Sequence, residues 1–372
     1  MMVYLDNAAT TKPSDVATLA YNEYAEKFGN ASSAYRIGVA NTAKIEYARN
    51  KIARYINANP EQIFFTSGGS ESNNWALHNF ESYKKLVSAI EHPSVLNAAA
   101  IHTYLRNWWK IPVDTDGVVS KDFIKNSLED DPDPYLVSVM MVNNETGVIE
   151  PIKEIAEIVH KHKSYIHTDA VQAIGHIPID VKDLDVDMLS ASGHKFGAFP
   201  GIGFIYIKDP EQIATPLIAG GHQEHQLRGG TYNVAGIVGM ADALGEKIKN
   251  MEDNQKRLIN LQKKLIVLLN EIGNISYNTA FDKSVPHIIN LSIDGVRAEE
   301  IVSLLDMQDI YISSGSACTS NDDRPSHVLL AMGRTEEEAN SSIRISMSED
   351  TLDTDIEWFV HNLKQVVEML RR

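Results

Sequence analysis

Three short segments of this 372-residue chain set chemically versatile side chains among small residues. In Phe64-Phe65-Thr66-Ser67-Gly68-Gly69-Ser70-Glu71-Ser72-Asn73 an apolar run meets hydroxyls and two glycines, then opens a helix-like pattern. Unpaired amides and the positive helix end make such a junction a candidate phosphate site, and glycine lets an anion approach the backbone. A glycine-containing turn with a serine N-cap is the ordinary alternative. In Ile166-His167-Thr168-Asp169-Ala170-Val171-Gln172 a strand-like run ends on a carboxylate, with an amide three residues on. Asp169 there could cap a helix, ligate a metal or face a protonated ring nitrogen, and capping is the ordinary role of an isolated Asp. The third segment is Ser190-Ala191-Ser192-Gly193-His194-Lys195-Phe196. A lysine that forms a Schiff base must be desolvated to be nucleophilic near neutral pH, and Lys195 sits among small residues instead of on a charged helix face. An exposed loop lysine is the competing reading.

The chain holds one cysteine, Cys318, in Ser313-Ser314-Gly315-Ser316-Ala317-Cys318-Thr319-Ser320. One thiol excludes an intrachain disulfide and a multi-thiolate zinc or iron–sulfur site. A free cysteine is usually a small buried hydrophobe. Here the small polar neighbours and the following Asn321-Asp322-Asp323-Arg324-Pro325 predict an exposed loop.

The elements that must position these groups follow from the alternation of short β-rich runs with helical patterns over residues 60–208. Strands are expected at 63–65, 86–90, 135–142, 165–167, 188–190 and 204–207, and helices at 71–84, 93–106 and 152–163, after two helices at 15–27 and 38–56. This is the pattern of a mostly parallel sheet with helices on both faces, whose functional groups gather at the carboxyl ends of the strands. Residues 233–272 read as one long helix, with Leu258, Leu261, Leu265 and Leu268 on one face. Beyond it a different element order, with strands at 288–293 and 343–346 and helices near 297–305 and 352–369, predicts a smaller α+β domain. The expected division is a large domain at 15–250 and a small one formed by 1–14 and 251–372, which carries the Cys318 loop.

Composition narrows the class. With 43% hydrophobic and 23% charged residues the chain is globular in usage, and its formal net charge of −16 argues against broad nucleic-acid binding. No stretch is long enough to span a bilayer, and the N-terminus lacks the basic and apolar regions of a signal peptide, so a cytoplasmic protein without membrane partners is expected. The pairs His160/His162 and His222/His225 lack a third ligand, so no metal is expected.

Taken together, a phosphate cradle, a strand-end Asp and a later Ser-x-His-Lys supply what a pyridoxal 5'-phosphate enzyme requires. Their order resembles the class V aminotransferase group of fold type I. Tyr4-Leu5-Asp6-Asn7-Ala8-Ala9-Thr10-Thr11, Val142-Asn143-Asn144-Glu145-Thr146-Gly147, Arg228-Gly229-Gly230-Thr231 and the string around Cys318 narrow this: the chain resembles cysteine desulfurases of the NifS/IscS kind from residue 4 to its last helix. The resemblance implies that Lys195 carries the cofactor and moves protons, that Asp169 pairs with its ring nitrogen, that Gln172 bonds its ring hydroxyl and that His92 covers its ring. It assigns the phosphate to Gly69, Ser70, Ser192 and His194, with Thr231 reaching in from a second subunit of a homodimer. The substrate L-cysteine would be held by Arg344 through its carboxylate, with Asn144 assisting. Cys318 would take its sulfur as a persulfide, and His92 would serve as a proton shuttle.

The family pattern is not matched everywhere. Ala198-Phe199-Pro200 replaces the usual Gly-Pro-Lys, Ala31 and Tyr35 replace a Pro and a His, and His287 replaces an Asn. The sequence ends soon after its last helix, without the tail of relatives that feed an iron–sulfur scaffold, so a tRNA-thiolating enzyme or another sulfur carrier is an alternative acceptor. A selenocysteine lyase or an aminotransferase would share the cofactor residues. A non-catalytic sulfur-carrier or assembly protein could keep the fold.

Overall fold

The computed structural model describes residues 2–103, 107–212, 216–314 and 324–372. Its centre is a seven-stranded sheet. From one edge to the other the strands are Ile63–Thr66, Gly203–Ile207, Met188–Ser192, Tyr165–Asp169, Tyr135–Ser138, Lys84–Ser88 and Trp108–Ile111. Gly203–Ile207 alone runs antiparallel to its neighbours; every other pairing is parallel.

Both faces of this sheet are covered, which explains why its strands read as continuous apolar runs instead of alternating ones. Successive side chains still point to opposite faces. Phe65, Leu86 and Val137 join the larger apolar cluster with helices Arg36–Tyr55, Ile152–Lys161 and Val234–Lys249. Their neighbours Phe64, Val87 and Leu136 pack on the other side against Trp75, Leu77 and Val95 of helices Gly69–His78 and Pro93–Ile101.

A second sheet of four antiparallel strands has the order Ser313–Ser314, Ser342–Ser346, Ile288–Ile293 and Ile275–Tyr277. It packs with helices Met251–Leu269, Ala298–Asp306 and Asp353–Leu370 around Leu265, Leu291, Ile343 and Phe359. The chain start belongs here, because strand Val3–Tyr4 pairs in parallel with Ile310–Tyr311 and Leu5 sits in the same apolar cluster.

Several expected elements change. The helix expected at 71–84 is Gly69–His78, and residue 84 begins a strand. The single helix expected at 233–272 is two, Val234–Lys249 and Met251–Leu269, joined at Asn250, whose φ of −102° and ψ of 5° leave the helical range. Among the elements absent from the sequence reading are helix Lys121–Glu129 and edge strand Trp108–Ile111, whose partly exposed Trp108, Trp109 and Lys110 lack a core-facing pattern. Among the described residues, no helix is long and apolar enough to cross a membrane.

Candidate active site

The carboxyl ends of the parallel strands deliver the first three groups. Tyr165–Asp169 ends on the Asp169 carboxylate, Met188–Ser192 ends on the Ser192 hydroxyl, and a tight turn at Gly193–Lys195 follows. Ile63–Thr66 runs through Gly68, whose φ of +153° disfavours a side chain, directly into helix Gly69–His78. The first amides of that helix have no partner within it, so they face outward with Gly69 and Ser70. His92 is the N-cap of helix Pro93–Ile101, with Pro93 favourably placed at its first position.

These segments enclose a cavity of about 300 Å³. It brings together Gly69, Ser70, His92, Asn144, Asp169, Gln172, Ser192, His194, Lys195 and Arg344. Thr231 is exposed and does not line this cavity of its own chain. Arg228, three residues earlier, forks onto Glu71 in the first turn of helix Gly69–His78, with Nε–Oε1 2.8 Å and Nη2–Oε2 3.0 Å. Cys318 lies outside the described residues.

The chain start forms one wall. Lys195 Nζ donates to the carbonyls of Ala8 and Ala9 at 2.6 Å each, and Gln172 Nε2 donates to Ala8 O at 2.8 Å. Thr11 ties down the next turn, its N–H and hydroxyl both donating to His194 O at 2.9 Å. The lysine is thus held in place by backbone dipoles of a segment 186 residues away in sequence.

Arg344 is buried on strand Ser342–Ser346. Its Nη2 donates to Asp6 Oδ1 at 2.7 Å and its Nη1 to Asn144 O at 2.9 Å. Asn144 is presented by a tight turn in which Asn143 Oδ1 accepts from the amides of Glu145 and Thr146. Arg344 Nε is buried without a hydrogen-bond partner among the described residues. Arg344 also lines the cavity, where its guanidinium is a cationic group of the geometry that suits a carboxylate.

Electrostatics follow from burial. Burial lowers the basicity of His92, Lys195 lowers it further and Asp169 opposes both. His194 is pushed down to about 4 by burial and by Lys195, and its Nδ1 lies 3.1 Å from Thr10 Oγ1. Both rings are neutral near pH 7 in this setting, so each can give a proton from one nitrogen and accept at the other.

The sequence reading missed Asp6, Asn73 and Ser94. Asn73 falls four residues after Gly69 on the same helix face, a spacing that carries the cradle inward to the base of the cavity. The unusual His287 is away from the cavity: its ring stacks on His176 at 4.4 Å, and His176 Nε2 lies 3.0 Å from Lys195 O. Phe199 packs its ring on Tyr21 at 4.4 Å. Among the described residues no group of three or more metal-ligating side chains occurs.

The sequence matches the aminotransferase class-V family model over residues 3–359, and the chain belongs to that family, whose members are pyridoxal phosphate-dependent enzymes. The cysteine desulfurase IscS of Methanosarcina thermophila is 40% identical over 99% of this chain and 93% of its own length. The X-ray structure of a NifS-like protein from Rickettsia africae superposes with a TM-score of 0.91, at 34% identity over 99% of this chain and all of its own. A structure described as SspA in complex with cysteine matches with a TM-score of 0.83 at 30% identity, over 94% of this chain and all of its own. Within the class-V family, the chain belongs to the cysteine desulfurases of the IscS and NifS-like kind.

Proposed function

We propose that this protein removes the sulfur of L-cysteine, releasing L-alanine, and passes that sulfur on through Cys318. The observation that carries the reading is the convergence of Lys195, Asp169, His92 and Arg344 on one cavity. Its lining fits pyridoxal 5'-phosphate: the outward amides at Gly69 and Ser70 with Ser192 and His194 suit a phosphate, Asp169 suits a protonated ring nitrogen, and Gln172 suits the ring hydroxyl. When bound, the cofactor supplies an electron sink that acidifies the substrate α-carbon proton.

The protein's own groups do the rest. Arg344, in the cavity wall, takes the substrate carboxylate on guanidinium hydrogens not committed to Asp6 and Asn144, which fixes the α-carbon relative to Lys195. Lys195 Nζ would hold the cofactor covalently and, once the substrate amine has taken its place, would be the free amine that takes and returns the α-proton. His92 carries a proton to or from the sulfur atoms on the cofactor face it covers. The Cys318 thiolate attacks the substrate sulfur, so that a sulfur–sulfur bond forms as the carbon–sulfur bond breaks; the β-carbon gains a proton and leaves as the methyl group of alanine. Cys318 is the only cysteine of the sequence, so no second thiol of the chain can resolve its persulfide. The sulfur then leaves to another molecule, a scaffold for iron–sulfur clusters, a sulfur carrier or a tRNA-thiolating enzyme.

The reading includes a cytoplasmic homodimer in which the exposed Thr231 of one subunit completes the phosphate site of the other, and a division at Asn250 into a cofactor domain and a smaller domain bearing Cys318. Incubation with L-cysteine tests the function: L-alanine is the expected product, equimolar with sulfide once a reductant is present. Pyruvate, a pyridoxamine form or no turnover would contradict it, and a rate confined to selenocysteine would redirect it to a selenocysteine lyase.

A further inference from the structure

Beneath the cavity a chain of hydrogen bonds joins two groups that the mechanism uses separately. Asn73, 1% exposed, donates both hydrogens of its amide nitrogen: to Asp169 Oδ2 at 2.7 Å and to Ser94 Oγ at 2.9 Å. Ser94 Oγ lies 2.8 Å from His92 Nδ1, and the Ser94 amide also donates to that nitrogen at 3.1 Å. The other Asp169 oxygen accepts from the Val171 amide at 2.9 Å.

The direction of this chain is determined by chemistry. An amide nitrogen can only donate, so Ser94 Oγ accepts from Asn73 and spends its single proton on His92 Nδ1. With a hydroxyl and a backbone N–H both donating to it, Nδ1 carries no proton, and the neutral ring bears its hydrogen on Nε2. Turning the Asn73 amide over would put its oxygen against the Asp169 carboxylate, so the carboxylate holds the amide in this orientation. The cost is visible: Asn73 Oδ1 is buried with no partner among the described residues. An orphaned buried acceptor in a native core calls for a reason, and sites of function are where such costs are kept.

We propose that Asn73 is a positioning residue that sets the tautomer of His92 and the orientation of Asp169 together, acting on His92 through Ser94. The proposal rests on the cofactor reading for the role of Asp169, but the histidine arm stands without it. Asn73 keeps the Asp169 carboxylate aimed through its amide hydrogen bond while His92 presents an Nε2 proton toward the cavity.

The test compares wild type, Asn73→Leu, Ser94→Ala and Ser94→Thr. Nitrogen NMR of His92, identified by its absence in His92→Ala, reports tautomer and titration in the purified protein without added cofactor. Among the described residues, Asp169, Lys195 and His327 are charged or titratable groups that act on this ring, and none is changed in these variants. Wild type and Ser94→Thr are expected to show the Nε2-protonated form, with Nδ1 unprotonated. Asn73→Leu frees the Ser94 hydroxyl to turn, and Ser94→Ala removes it, so in both the His92 pKa is expected to rise by about one unit. Unchanged tautomer and titration in Asn73→Leu and Ser94→Ala overturn the proposal, as does a Ser94→Thr variant that behaves like Ser94→Ala. A parallel titration with pyridoxal 5'-phosphate should show binding weakened roughly tenfold to a hundredfold in Asn73→Leu. If Asn73→Leu binds it as wild type does while Asp169→Ala does not, the Asp169 half of the proposal is wrong and the cofactor reading stands. If wild type fails to bind it, the cofactor reading falls and the histidine arm alone decides the proposal.

Discussion

Replacing Arg344 by lysine keeps the charge and removes the fork, and the structure sets the size of the effect. The guanidinium has five N–H groups. One is committed to Asp6 Oδ1 and one to Asn144 O, which leaves two further Nη hydrogens for a substrate carboxylate, the Nε being enclosed. A lysine ammonium has three, and the same two anchors leave it one. The substrate therefore loses at least one charge-assisted hydrogen bond and the planar bidentate match, about 1.5–3 kcal/mol. That corresponds to a KM for L-cysteine raised roughly 10- to 150-fold, with kcat changed far less, because the contact is made equally in the bound ground state and in the transition state. Asp6 keeps a cationic partner, so the fold should survive; Arg344→Ala instead strands a partly buried carboxylate and is the poorer probe. The assay is initial-rate alanine formation over a wide range of L-cysteine, alongside a pyridoxal 5'-phosphate titration that should be unaffected. A KM within twofold of wild type, or a loss carried entirely by kcat, would refute the assignment of Arg344 to the carboxylate.

Further predictions concern stability and the lysine. Burial pushes Glu150 up to about 8, with Asp114 adding to this and the Val119 amide opposing it, and burial pushes Glu145 up to about 7 against the Ser326 hydroxyl and Arg344. Between the ordinary value of 4.5 and these values the unfolded chain has lost protons that the folded protein keeps, so both groups make stability fall as pH rises through that window. Glu150→Gln should therefore show a smaller decline in Tm from pH 5 to pH 8 than wild type, and an equally steep decline would count against a buried neutral carboxyl. Borohydride treatment of the cofactor-loaded protein should fix the cofactor on Lys195, read by peptide mass; in Lys195→Ala no peptide should carry it.

Much of the site could be read in the sequence because its groups lie at junctions that local chemistry marks. Asp169, Ser192 and Lys195 follow apolar runs that are buried on both sheet faces, so the strand ends were visible even though the exact bounds shifted. His92 was marked by Pro93. What could not be read depends on contacts distant along the chain. Asp6, Ala8 and Ala9 enter the site only because strand Val3–Tyr4 pairs with Ile310–Tyr311 and carries the following turn to Lys195. Asn73 looks like one polar helix residue among several until the helix is docked over Asp169. Edge strand Trp108–Ile111 was missed because its exposed side chains give no alternation, and the break at Asn250 because the apolar spacing continues across it.

The central claim is that sulfur moves from L-cysteine to Cys318. The direct measurement is peptide mass spectrometry of the cofactor-loaded protein after a single turnover with L-cysteine, without reductant, with L-alanine quantified in the same sample. The account predicts one added sulfur atom on the peptide containing Cys318, in step with the alanine formed, and neither persulfide nor sustained alanine formation in Cys318→Ala, which should still bind the cofactor. Alanine formed at the wild-type rate by Cys318→Ala, or turnover without added sulfur on that peptide, would contradict it.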